Sequence, residues 1–105
     1  MKVKFKEWNC KAVGMYYAGG NKAIRLIDED DHEPIVTATV NLVDFNEVMP
    51  ENVVFIKDYS ENEGIVEALA KADIIHPFSV GKTKSGYVEI NAYILTEEAM
   101  KELWQ

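Results

Sequence analysis

The chain has 105 residues, 48% of them hydrophobic and 28% charged, the composition of a folded domain rather than of a disordered tail. Eleven Lys and Arg stand against eighteen Asp and Glu, a net charge of −7, which argues against direct nucleic-acid binding because a phosphate-facing surface must be positive. No run approaches the ~20 apolar residues of a membrane span, and the Lys-rich opening lacks the apolar segment of a signal peptide.

A chain of this length is expected to form one domain, residues 1–105, with one core and a radius of gyration of roughly 13 Å. Its single cysteine, Cys10, has no internal partner for a disulfide, so a reducing cytoplasm is the expected location. Charge is unevenly spread. Residues 1–27 hold six cations and one anion, whereas residues 28–105 hold five cations and seventeen anions. An acidic surface of this kind suits competition with nucleic acid for a basic groove on another protein, since complementary fields steer association.

Lys2-Val3-Lys4-Phe5-Lys6 alternates polar and apolar, predicting a strand with Val3 and Phe5 inward and lysines outward, where they also discourage edge pairing. The β-formers of residues 8–17, the turn Ala18-Gly19-Gly20-Asn21 and a return over 22–27, with Ile24 and Leu26 on one face, predict a hairpin. Beyond the polar stretch 28–33 and Pro34, inward Val36, Ala38, Val40 and Leu42 are expected to alternate with Thr37, Thr39 and Asn41 in an antiparallel meander. Asp44-Phe45-Asn46-Glu47 fits a capping box for a short helical turn ended by Pro50, and residues 53–56 read as a strand covered on both faces.

Ser60-Glu61-Asn62-Glu63 fits a second capping box, opening a helix with Ile65, Val66, Leu69 and Ala72 on one stripe. Residues 78–82 and 87–95 are expected to bracket a turn at Thr83-Lys84-Ser85-Gly86. In the return strand Val88, Ile90, Ala92 and Ile94 should face in, and Tyr87, Glu89, Asn91 and Tyr93 out. Thr96 should cap a last helix with Glu97 and Glu98 in its first turn and Ala99, Met100, Leu103 and Trp104 on its apolar side.

Catalytic and metal-binding patterns are weak. Asp28, Glu29, Asp30, Asp31 and Glu33, with His32, offer ligands for a hard cation, but a calcium loop counted from Asp28 has Glu33 where Gly is needed and Thr39 where a bidentate Glu is needed. Cys10, His32 and His76 lack zinc-ligand spacing, and His76 between Ile75 and Pro77 is expected to pack or cap. Val80-Gly81-Lys82-Thr83 ends like a phosphate-binding loop, yet His76 occupies the position of its first Gly. Cys10 is expected to be a half-buried free thiol, and no Gly-x-Ser-x-Gly elbow exists. No catalytic, cofactor or metal residue is therefore assigned. The candidates are for a protein interface: Tyr87, Glu89, Asn91 and Tyr93 on one strand face, and Asp28, Glu29, Asp30, Asp31 and Glu33 in the acidic turn.

Lys57-Asp58-Tyr59-Ser60-Glu61-Asn62-Glu63-Gly64, followed by Ala68-Leu69, Ile74-Ile75, Pro77 and Ser85-Gly86-Tyr87-Val88-Glu89, resembles a family of short uncharacterised proteins of phages, plasmids and other mobile elements. The resemblance implies an intracellular accessory protein and carries no catalytic residue with it. Small acidic proteins of mobile elements include inhibitors of host defence nucleases such as CRISPR effectors. In physical terms the octapeptide reads as a strand-to-helix connector, with Tyr59 a hydrophobic staple toward residues 64–65 and Ser60 and Glu63 exchanging capping bonds.

The expected fold is α+β: a mostly antiparallel sheet of about six strands, with a central helix near 61–72 and a C-terminal helix near 97–104 on one face. The expected function is non-enzymatic binding of a protein partner, in its sharpest form a nucleic-acid-handling host protein. The alternatives are a small regulatory or ligand-binding domain that homodimerises through an exposed strand, and, more remotely, a divalent-metal enzyme using the acidic turn.

Overall fold

Period-two patterning builds the first sheet. In the computed structural model, which describes residues 1–42 and 50–104, β1 (Lys2–Phe5), β2 (Trp8–Tyr16), β3 (Lys22–Asp28) and β4 (Pro34–Thr37) form an antiparallel meander in chain order. The register sets Val3 opposite Cys10, Ala12 opposite Leu26, and Leu26 opposite Val36. On that side Val3, Phe5, Cys10, Ala12, Ile24 and Leu26 are all buried.

A second antiparallel sheet has the order β5-β7-β6, from β5 (Val53–Ile56), β6 (Gly81–Ser85) and β7 (Val88–Ile94). Among the described residues, seven strands in two sheets thus stand where about six in one were expected, and residues 38–40 are the reason. The Ala38 amide donates to the Ile24 carbonyl at 2.9 Å, while the Ala38 carbonyl accepts from the Lys57 amide at 2.8 Å and the Val40 amide donates to Phe55 at 3.0 Å. The segment serves both sheets. It also buries Thr39, which was expected to face solvent: its hydroxyl lies 2.9 Å from the Tyr17 hydroxyl and accepts from the Ile24 amide at 3.2 Å.

The second sheet separates two apolar clusters. Val54, Ile56 and Tyr93 join the main core, whereas Phe55, Ile90 and Ala92 form a smaller one with Val40, Leu42, Val53 and Tyr59. As expected for 53–56, both faces of β5 are covered. Tyr59 packs on the smaller cluster, so it does not staple to Ile65, which lies in the other core.

Both helices lie on the buried face of the first sheet, α1 (Ile65–Lys71) against β1 and α2 (Glu97–Leu103) against β2. Ile65 and Leu69 are fully buried. Thr96 caps α2 as expected, accepting from the Ala99 amide at 3.1 Å. Gly14 admits the end of α2 so closely that a β-carbon there would collide with the Leu103 backbone, and Trp104 Nε1 donates to the Met15 carbonyl at 2.9 Å.

The Ser60 capping box does not form. Glu63 is extended (φ −53°, ψ 128°) and Gly64 left-handed (φ 93°, ψ −1°), the geometry of a type II turn with Gly at its third position. That turn separates a 3-10 turn at Ser60–Asn62 from α1, so Glu63 is not in the helix and cannot reach back as a capping box requires. Asp58 Oδ1 instead accepts from the Gly64 amide at 2.6 Å, and buried Asn62 ties the 3-10 turn to β4 by donating to the Thr37 carbonyl at 2.8 Å. The second hairpin turns at Gly86-Tyr87 rather than at 83–86: Ser85 pairs with Val88, and Gly86 (φ 63°) takes the first loop position, as a type II′ turn demands. The box at Asp44–Glu47, residues 44–47, lies outside the described residues.

Candidate interaction surface

In a meander, alternate connections fall at the same end. The β1–β2 turn, Lys6-Glu7, and the β3–β4 turn of residues 28–33 therefore share one end of the first sheet, with the Lys6 ammonium drawn to the Glu61 carbonyl at 2.8 Å. The acidic turn holds its own shape. Asp28 Oδ1 accepts from the amides of Asp30 and Asp31 at 2.8 and 3.3 Å, and Asp31 Oδ1 accepts from the Glu33 amide at 2.9 Å. Such carboxylate-to-backbone bonds are the usual way Asp organises a turn. Glu29 pairs with Lys2 at 2.9 Å. Of the five carboxylates counted as interface candidates, Asp30 and Glu33 are left as exposed charges with no inward task of their own. His32 is exposed and left-handed (φ 62°), consistent with a solvated turn. Among the described residues no group of three or more His, Cys, Asp or Glu is placed to hold a metal ion.

The other candidate face is not a face. Tyr87 sits in the hairpin turn, fully exposed, while Tyr93 is buried in the main core; Glu89 is exposed and Asn91 half-buried. Burial, and next the negative charge of Asp58, push the Tyr93 hydroxyl up from its ordinary pKa. The residues alternate as expected, but helices and the first sheet cover the far half of the strand, so the outward row runs from solvent into the core.

Cys10 is fully buried rather than half-buried. Burial and then Asp28 raise its pKa, which keeps the thiol protonated and unsuited to nucleophilic work. His76 does not pack as expected, for the residue is exposed; its backbone amide donates to the Ile94 carbonyl at 2.9 Å. In the connector, Glu61 is held down to about 2 by its own backbone amide first, then by Lys57 at 3.2 Å and by Ser60.

Two surfaces escaped the sequence reading. Phe78 and Val80 are exposed next to a shallow apolar groove of about 320 Å³ that Val53, Phe55, Val80 and Ala92 help to line. A strand over 78–82 would place Phe78 and Val80 together on one face, but the strand starts at Gly81 and both lie outside it. The second is the solvent side of the first sheet, where Lys2, Lys4, Lys11 and Arg25 share one face. The lysine alternation signalled β1, but only pairing adds β2 and β3 to it.

Among known proteins, no family model, curated protein or solved structure matches the chain. Among the described residues the fold is α+β, with seven antiparallel strands in two sheets. No helix among the described residues is long and apolar enough to cross a membrane.

Proposed function

We propose that the protein is a non-enzymatic binding protein that works by protein–protein contact, its anionic end occupying the basic groove of a nucleic-acid-handling host protein. In its sharpest form this is an anti-CRISPR-like role for a cytoplasmic product of a mobile element. One observation carries the reading: Glu7 and the 28–33 turn gather at one end of the first sheet, and Asp28 and Asp31 lock the turn so that Asp30 and Glu33 are displayed on a pre-ordered backbone. A pre-ordered backbone lowers the ordering cost of binding, and a clustered field steers a basic partner toward it.

The competing dimer through an exposed strand meets three guarded edges among the described strands, and the fourth, β5, is bridged by Thr39 at Ile56. β1 carries Lys2 and Lys4, β4 is short and opens with Pro34, and β6 carries Lys82 and Lys84. The test is capture of purified nucleic-acid-handling host proteins by the immobilised chain. Binding should fall steeply from low to physiological salt, yield to competing duplex oligonucleotide, and disappear in Asp30→Lys/Glu33→Lys. Binding indifferent to salt and oligonucleotide, or substrate turnover by the chain itself, would refute the reading.

A further inference from the structure

We infer that the open face of the first sheet is a second docking site, opposite in sign to the anionic end, for a short acidic segment of a partner protein. Lys2 and Lys11 stand directly opposite each other across β1 and β2, Lys4 is the next outward residue on β1, and Arg25 continues the patch on β3. Like charges set face to face across strands lower stability, and a chain of net charge −7 needs no cations for solubility. Lys2 is matched by Glu29, whereas Lys4, Lys11 and Arg25 form no ion pair among the described residues. Beside them Val13 and Ile27 are only half-buried and Met15 is exposed. Unmatched cations next to uncovered aliphatic side chains define the occupant: carboxylates for the first, an apolar side chain or two for the second.

A phosphodiester chain fits less well. The outward rows of β1, β2 and β3 hold no aromatic ring for a base to stack on, and the anionic turn with Glu29 closes one end of the patch to a long polyanion. A segment of a few residues avoids that end. This site is independent of the anionic end, and neither needs the other to exist.

The experiment is fluorescence anisotropy with a labelled peptide of Asp, Glu and Leu, about ten residues long, beside a labelled single-stranded oligonucleotide of similar length. The peptide should bind at low salt, weaken as salt rises, and lose about tenfold in affinity in Lys4→Glu/Lys11→Glu. Lys82→Glu/Lys84→Glu, with the same change in net charge on a different sheet, should bind within about twofold of the parent. Amide chemical-shift changes on titrating the parent protein should fall on β1, β2 and β3, a readout that does not depend on any variant folding. No peptide binding at low salt, equal loss in both variants, shifts centred elsewhere, or tighter binding of the oligonucleotide would each overturn the assignment.

Discussion

Tyr87 and Tyr93 share a hairpin and differ in everything that sets their worth. The first stands in the turn in full solvent; the second fills the main core beside Val54 and Ile56. Tyr93→Ala leaves a cavity and should cost roughly 3 kcal/mol or more in a urea melt, while Tyr87→Ala should change stability by no more than about 0.5 kcal/mol. Cys10 gives a second test. A thiol reagent should leave it unmodified in the native protein and react once urea exposes it, since burial both shields the sulfur and keeps it protonated. Glu61 supplies the pH dependence. Its carboxyl is held at about 2 in the folded state, below its unfolded value, so its contribution is complete above the ordinary carboxylate range and is lost as pH falls toward 2. Glu61→Gln should therefore be less stable than the parent at neutral pH, and urea melts of the two should converge near pH 2.

At the scale of elements, the connector from β5 to α1 is decided by Gly64 and Asp58 rather than by Ser60. Asp58→Ala strips the acceptor from the Gly64 amide and should cost about 1 kcal/mol, a typical capping loss. Gly64→Ala forces a β-carbon into the left-handed region and should cost about 1 kcal/mol or more. Ser60→Ala, measured by the same thermal melts, should cost less than Asp58→Ala, because the hydroxyl caps no helix. The Ser60-x-x-Glu63 spacing was expected to be a capping box and does not form one: a capping box and a type II turn share residue types, and Gly at the following position tips the chain to the second. The Thr96 cap had no such competitor, and it formed where expected.

At the scale of the molecule, charge is sorted by topology. Pairing of β1, β2 and β3 collects Lys2, Lys4, Lys11 and Arg25 on one open face, while the same meander sends Glu7 and residues 28–33 to one end. The edges at β1, β4 and β6 carry lysine or proline, and β5 is bridged by residues 39–40, so removing a guard should show. Lys82→Val/Lys84→Val on edge strand β6 should raise the mass read by light scattering above the 11.9 kDa of one chain, in a concentration-dependent way. The radius of gyration, 12.8 Å, is that of a compact body of this length.

The order of strands and helices, the buried rows of β1, β3 and β5, and the cap of α2 were determined by the sequence itself, because side-chain period and local hydrogen bonds depend on neighbours along the chain. What lies across from each row was not. Tyr93 and Thr39 look like surface residues at period two, and they are buried because residues 38–40 leave the first sheet for the second and bring both sheets around them. The basic face likewise exists only once three strands are paired in register, and register is a long-range property that no local pattern encodes.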